Sequence, residues 1–403
     1  MGAKIIRVLF RTSVVLYALL SGYYFLTKPA GGGDESLFIS DLQLIQKDGW
    51  VTAISKGISI TYMALSYPLT FLLESHIALR VVNVLLFAAL LFYFYKRFKI
   101  KELNFYLLLL FFYSTVGYFM AGTNDTMFVV PLVLFICETY YLLTTTKARS
   151  LAALGCALVL SVFTRELIIL FLPVVVLAVI LLIRKKKGSL KSLGIPVLLL
   201  LIGLLVNLPS LQTNGRLSYD QKLPPDGVQA TWPQRQYLAQ LLVNEGKLKN
   251  YNHPDWQQTD AYLIDNGETS LPKSLGEGIF FNPTLTVKEF FKDAVYSVAY
   301  GSRQLGLMLP TLLILGVLSL FKFRKIDVKD FIPLTVLGVI CTFSFLIISY
   351  VELRWLAPVF IAGIFYFYTL EQRKTLPSLL VNTNYIFIGL LSWYGAYGII
   401  TKL

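Results

Sequence analysis

Two adjacent carboxylates, Asp34 and Glu35, follow a run of three glycines, Gly31 to Gly33, just after the first long apolar segment of the chain. A carboxylate at a membrane surface can take the proton of an attacking hydroxyl or orient it. Glycines reach backbone conformations closed to other residues, so the two acids can be presented at an awkward angle. Ser36 or Asp34 is placed to cap the helix that follows. Further ionisable side chains recur at the ends of later apolar segments: Glu74 and Arg80, Asp125, Arg165 and Glu166, Glu352 and Arg354. Several such groups converging on one face imply a polar cavity that opens to that side. Plainer readings exist for each. Arg80 and Arg354 also fit snorkelling to headgroups, Glu166 and Glu352 fit local pairs with Arg165 and Arg354, and Asp125 fits a helix cap. Glu138, inside an apolar segment, is expected to be a buried structural carboxylate with a local partner.

The elements that must position these groups are hydrophobic. Of 403 residues 56% are hydrophobic and only 15% charged, and the mean hydropathy is +0.65. That excludes a soluble globular protein and points to an all-α polytopic integral membrane protein. The net charge of +13 comes from short basic clusters between apolar segments, which act as orientation signals and not as a nucleic-acid surface. Cys137, Cys156 and Cys341 lie within apolar segments at spacings that suit packing. With His76 and His253 as the two histidines, there are too few imidazoles for a histidine-based zinc site. Val8 to Leu26 is expected to be a retained first span, because Tyr23 to Lys28 makes a poor cleavage site.

Segments long enough to cross fall at about 8–26, 77–95, 103–120, 126–144, 151–164, 167–183, 194–212, 304–321, 331–350, 355–370 and 384–401, so about eleven transmembrane helices are expected. Basic clusters lie at Lys4 to Arg11, Lys96 to Lys101, Lys147 and Arg149, Arg184 to Lys191, Lys322 to Lys329, and Arg373 with Lys374. All fall on one side if the N-terminus is inside. The loops 27–76 and 213–303 are then external. Ile58 to Leu73 is apolar, yet counting it as a span breaks this agreement. Val51 to Glu74 is therefore read as interfacial or re-entrant. Three parts result: residues 1–212, a membrane module with a catalytic first external loop carrying juxtamembrane amphipathic helices; 213–303, a polar external insertion on the acceptor side; and 304–403, further membrane helices. In the insertion, Thr286 to Tyr300 has the apolar spacing of a helix lying on the membrane or on the first loop.

Taken in order, these motifs resemble the GT-C glycosyltransferases, in particular their protein mannosyltransferase and aminoarabinose transferase branch. Gly33-Asp34-Glu35-Ser36-Leu37-Phe38, followed by a helix and Lys47-Asp48-Gly49-Trp50, looks like their first external loop with its Asp-Glu motif. Tyr67-Pro68-Leu69, Ile77-Ala78-Leu79-Arg80-Val81 and Thr123-Asn124-Asp125-Thr126 resemble elements around their second and fourth spans. Phe163-Thr164-Arg165-Glu166 through Leu172-Pro173 resembles a Thr-Lys-Gly to Leu-Pro stretch, with Arg for Lys and Glu for Gly. Glu352-Leu353-Arg354-Trp355-Leu356-Ala357-Pro358 resembles a late Glu-Tyr-Arg-Tyr element. The likeness covers residues 5–210 and 304–370 and omits 213–303.

The resemblance implies transfer of a sugar from a polyprenyl phosphate carrier to a lipid, glycan or protein acceptor on the external face, with inversion, in a bacterial inner membrane. It implies Asp34 as base with Glu35 in support, and Arg165 and Arg354 as leading phosphate ligands. Arg80, Lys28 and Lys56 are further candidates; Asp125 faces sugar hydroxyls or a basic partner, and Glu166 and Glu352 complete the set. The family varies in metal use, so a divalent cation stays open. A transporter or flippase of lipid-linked glycans is the reading from another class. Against it stand the scarcity of mid-membrane charge, the lack of a repeat and the one-sided large loop. An O-antigen-type ligase or polymerase is the third.

Overall fold

A computed structural model of the chain describes residues 2–145, 150–220, 224–225, 227–249, 252–322 and 326–402. The orientation signals Lys147, Arg149, Arg324 and Lys325 lie outside them. Among the described residues the regular elements are helices, joined by one isolated bridge between Ser150 and Ser189. In order they are α1 (Gly2–Leu26), α2 (Glu35–Lys56), α3 (Ile60–Ser66), α4 (Ser75–Phe98), α5 (Leu103–Thr115), α6 (Asp125–Thr144), α7 (Ala152–Thr164), α8 (Leu172–Arg184) and α9 (Gly194–Val206). They continue as α10 (Leu208–Asn214), α11 (Trp232–Asn244), α12 (Trp256–Asn266), α13 (Leu275–Phe281), α14 (Pro283–Leu305), α15 (Met308–Leu320), α16 (Phe331–Ser344), α17 (Ala357–Gln372) and α18 (Ser378–Ile400).

Among the described residues five helical stretches are long and apolar enough to cross a bilayer: Gly2–Leu26, Ser75–Phe98, Asp125–Thr144, Glu166–Arg184 and Leu353–Gln372. This is an all-helical chain consistent with an integral membrane protein. The apolar segment read at 194–212 is not one straight helix, because α9 and α10 bend by 54°. Asn207 sits at the break, and Pro209 follows inside the second piece. The segment read at 103–120 gives a helix only to Thr115, of about 20 Å at 1.5 Å per residue. The exposed surface of α9 is apolar on nearly every side, from Ile195 to Leu205. Water does not tolerate such a helix and acyl chains do.

The chain divides into two compact units, residues 1–220 with 302–337 and 357–403, and residues 221–301 with 338–356. In the first unit α6 is the buried centre, with 89% of its apolar window enclosed against 28% for α1. It packs on α7, α17 and α4, while α1 lies between α18 and α5. The loop between α1 and α4 folds back on this bundle. α2 runs to Asp48, kinks at Gly49 (φ 80°) and resumes from Trp50, which fits the Lys47-Asp48-Gly49-Trp50 turn read from the sequence. Helices of seven residues at most, with a 3-10 turn at Tyr67–Phe71, follow it, so Ile58 to Leu73 forms no span. Phe38, Leu42, Ile45, Ile54, Tyr62 and Met63 bury themselves against Leu79 and Val82 of α4 and Met127 of α6.

Ser218 fastens the stretch after α10 to this loop. The Ile58 amide donates to Ser218 Oγ (2.9 Å), and the hydroxyl faces the carbonyls of Ile54 (3.1 Å) and Ile58 (2.9 Å). The Ser218 amide donates to Asn207 Oδ1 (2.8 Å), using the same residue that breaks α9 from α10. Ser218→Ala strands the buried Ile58 amide, at a cost of about 1–3 kcal/mol. The apparent thermal midpoint in detergent is expected to fall and cleavage between Gly215 and Pro224 to accelerate; an unchanged cleavage rate refutes the fastening role.

Candidate functional site

The two acids of the first loop, adjacent in sequence, take separate surroundings. Helical geometry turns successive side chains by about 100°, so Asp34 at the start of α2 and Glu35 one position on cannot face the same way. Glu35 is 1% exposed. It receives Arg80 Nε on Oε1 (2.8 Å) and a terminal Arg80 nitrogen on Oε2 (2.8 Å). The amides of Gly122 (2.8 Å) and Gly31 (3.0 Å) fill its remaining positions. Burial pushes the Glu35 carboxyl up, but the bonds from Arg80, Gly122 and Gly31 outweigh it and hold the group below its ordinary range. Arg80 in turn donates to the carbonyls of Leu26 (3.4 Å), Lys28 (3.0 Å) and Pro29 (3.2 Å). The pair is closed on both sides. Gly122 is required there, since a Cβ would lie 2.7 Å from Leu79 Cβ and 2.9 Å from Glu35 Oε1.

The glycine run does adopt left-handed backbone, at Gly31 (φ 78°) and Gly33 (φ 62°). The expected side-chain caps do not form. Asp34 occupies the cap position of α2 without a cap bond, and Ser36 Oγ donates backwards to the Gly33 carbonyl (2.8 Å). Asn124, not Asp125, precedes α6, and it makes no cap bond either.

Asp125 and Arg165 meet. Arg165 donates to Asp125 Oδ1, and Thr123 Oγ1 donates to Oδ2 (2.8 Å). This pairing takes Arg165 away from Glu166, which is exposed. Next to it stands Asp220, whose Oδ1 accepts from Asn124 Nδ2 (3.1 Å); the same Asn124 nitrogen lies 3.1 Å from Ser59 Oγ. Asn83 holds this turn by donating to the carbonyls of Ala121 (2.6 Å) and Thr123 (3.0 Å). Burial pushes the Asp220 carboxyl up; Arg165 pulls it down, while Asp34 and Asp125 raise it again. Asp41, on the inner side of α2, is pushed up to about 8 by burial and by the charge of Asp220, against the opposing Ser59 amide. Its Oδ2 is shielded from solvent and has no hydrogen-bond partner among the described residues. Four carboxyls, Asp34, Asp41, Asp125 and Asp220, thus share one electrostatic neighbourhood with the Arg165 guanidinium. Among the described residues no three His, Cys, Asp or Glu side chains stand close enough to hold a metal ion.

The remaining sequence candidates have surroundings of their own. Lys28 is exposed with its amine over the rings of Tyr24 (4.8 Å) and Phe25 (4.9 Å), and Lys56 makes an exposed pair with Asp48 (3.4 Å). Glu352 and Arg354 pair with each other in the second unit. There Glu352 borders a cavity of about 60 Å3 also lined by Trp232, Arg235, Gln236, His253, Ser349, Tyr350 and Trp355. Glu138 is a buried structural acid, bound by Arg97 Nε (2.7 Å) and Tyr93 OH (2.9 Å).

Asp41 and Asp220 are the site residues that the sequence reading missed. Asp41 had a signal, since it follows Phe38 by three residues and belongs to the buried face of α2. Asp220 had none at short range; it reaches the site through Ser218 and Asn124. Compared with family models, with curated proteins and with solved structures, the chain gives no match.

Arg80→Met leaves Glu35 charged and buried, an expected loss of about 3–5 kcal/mol, whereas Lys56→Met at the exposed pair costs about 0–1 kcal/mol. Apparent thermal midpoints of the two variants measure the contrast, and equal shifts refute it. Asp41 gives a second test. An unfolded aspartate releases its proton near 3.8 and the folded one near 8, so between these values the folded state holds the extra proton and stability falls as pH rises. Asp41→Asn removes that slope. Its midpoint should gain on the wild type from pH 4 upward and stop gaining above about pH 8; a constant difference contradicts the assignment.

Proposed function

We propose that this protein is a membrane glycosyltransferase that moves a sugar from a polyprenyl phosphate carrier to an acceptor on the extracytoplasmic face of a bacterial inner membrane, with inversion. The reading places eleven spans with the N-terminus inside, so that the α1–α4 loop and the insertion face outward. It begins from the ordered motifs shared with the GT-C enzymes. The observation that supports it most is the joining of Asp34, Asp41, Asp125 and Asp220 around Arg165, from four separate parts of the chain.

The chemistry follows from these groups. The acceptor oxygen attacks the anomeric carbon, its proton passes to the Asp34 carboxylate, and the bond from that carbon to the phosphate oxygen breaks with both electrons leaving on phosphate. A guanidinium stabilises this growing charge, and Arg165 is the one beside the acids. Asp125 and Thr123 orient it. Glu35 and Arg80 are positioning residues, which hold Asp34 at the mouth of the loop. Asp41, protonated below about pH 8, adds no negative charge to the neighbourhood.

Transfer of label from a radiolabelled polyprenyl phosphate sugar by the purified full-length protein tests the assignment. Asp34→Asn should lose roughly 100-fold to 10,000-fold in rate, the usual share of a general base, and Arg165→Ala should lose activity while Lys28→Ala keeps it. Full activity in Asp34→Asn removes the base from Asp34. The same assay in EDTA decides the metal question.

A further inference from the structure

We infer that a cavity in the first unit, between the last turns of α4 and α6 and the first turn of α7, binds the phosphate headgroup of an anionic phospholipid. It encloses about 540 Å3 and is lined by Tyr93, Arg97, Glu138, Ser150, Ala152 and Ala153. That volume lies within the roughly 300–1,000 Å3 of small-molecule sites. Ala152 and Ala153 open α7 with small side chains, which leave the room. Arg165 caps the other end of α7, about 20 Å away at 1.5 Å per residue. The cavity is therefore separate from the acids around Arg165 and independent of any reaction there.

The wall holds one closed charge pair with donors left over. Glu138 is 2% exposed, and its oxygens accept from Tyr93 OH (2.9 Å), Arg97 Nε (2.7 Å) and a terminal Arg97 nitrogen. A carboxylate filled in this way offers little to an incoming cation. Arg97 lies 4.2 Å from the Tyr141 ring centroid, and its second terminal nitrogen makes no hydrogen bond among the described residues. Ser150 is exposed, and its oxygen accepts the Ala152 amide (3.1 Å), which leaves the hydroxyl proton to donate. A guanidinium and a hydroxyl with donors to spare suit a phosphate.

Further positive charge is seated at the rim. The connection from α8 to α9 is fastened to the start of α7: Ser189 bridges to Ser150, Ser192 Oγ accepts the Leu151 amide (2.7 Å), and a Cβ at Gly188 would lie 2.4 Å from a Leu151 methyl. Lys187 on this connection donates to the Thr145 carbonyl just past α6, and Arg184, Lys185 and Lys186 beside it are exposed. Lys96 and Lys99, also exposed, come from the end of α4. Such a rim attracts an anion and repels an ammonium, so it selects a net negative headgroup over a zwitterionic one.

Depth and neighbouring surface select a lipid over free phosphate. The 24 residues of α4 span about 36 Å, more than the about 30 Å of a hydrocarbon core. Arg97, in the last turn, then stands at headgroup level. Phe92, Tyr95 and, two turns below Phe92, Leu85 are exposed on the same helix. They offer the apolar surface along which acyl chains lie.

Native mass spectrometry of the full-length protein in a neutral detergent, titrated with phosphatidylglycerol and phosphatidylethanolamine of matched chains, tests the inference. Phosphatidylglycerol should be retained about tenfold better, on the scale of one or two added charges at a membrane surface. Ala153→Phe fills the cavity from an exposed position. Ser150→Asp puts a negative charge on its wall and keeps an acceptor for the Ala152 amide. Each should remove the preference, with thermal midpoints in lipid-free detergent showing that both variants are folded. Val176→Phe, on the exposed side of α8, should keep it, and millimolar inorganic phosphate should leave the bound lipid in place. Equal retention of the two lipids, an unchanged preference in Ala153→Phe or Ser150→Asp, its loss in Val176→Phe, or displacement of the lipid by inorganic phosphate overturns the inference.

Discussion

The pair formed by Glu35 and Arg80 is the contact on which the loop between α1 and α4 depends. Arg80 reaches from α4 to the last turn of α1 and to Lys28 and Pro29 beyond it, while Glu35 reaches from α2 to the turn before α6. Four parts of the chain are fixed by two side chains. A buried ion pair adds little net stability compared with well-packed apolar residues, because both charges must leave water. This arrangement of the loop satisfies the guanidinium, the carboxylate and the Gly31 and Gly122 amides together. The φ values of Gly31 and Gly33 follow from that demand, as does the absence of a Cβ at position 122.

Once Glu35 is fixed, α2 has no freedom of rotation. Phe38, Leu42 and Ile45 must then face the bundle, and Asp41, on the same side, is drawn in with them. An ionised aspartate there would meet Asp220 at close quarters, and burial makes the neutral form the cheaper solution. The result is a neighbourhood in which two acids resist ionisation and Arg165 bears the compensating positive charge. Adjacent acids have thereby acquired different surroundings, Glu35 buried in the framework and Asp34 partly exposed.

Features set by local pattern were legible in the sequence, and features set by long-range closure were not. The helices follow the apolar segments, and the turn at Asp48-Gly49-Trp50 follows from a glycine between two amphipathic runs; Glu138 has the partner that an acid inside an apolar helix needs, but it is not the local one expected, since Arg97 and Tyr93 come from α4, more than forty residues away. Pro68 and the polar residues around it broke the 58–73 stretch as expected. The break at Asn207 was less visible, since leucines run on both sides of it; its cause is the Asn207 side chain, which turns to the Gly203 carbonyl and to the Ser218 amide. Asp220 stood past the assumed end of the membrane module, and nothing in its own neighbours marks it. Only the folding of Ser218 onto Ile54 and Ile58 brings it to Asn124.

The second unit shows the same rule with the solvent exchanged. In α14 the residues Val287, Phe291 and Val295, spaced by one turn, are 57%, 64% and 68% exposed, while Glu289, Asp293 and Ser297 on the opposite face are buried. Glu289 is held there by Asn244 Nδ2 (2.8 Å) and Lys292 Nζ (3.0 Å). Burial, with the charge of Glu289 behind it, pushes Asp293 up to about 7. A helix in water turns these faces the other way. The inversion is stable where an apolar medium covers the outer face and the polar side chains find partners inside, which fits the membrane-lying alternative for Thr286 to Tyr300. On α14 the buried polar row is therefore the counterpart of the exposed apolar row, while elsewhere in the unit Ala230, Tyr237, Leu238, Leu263, Leu271 and Ile347 pack as an ordinary apolar core.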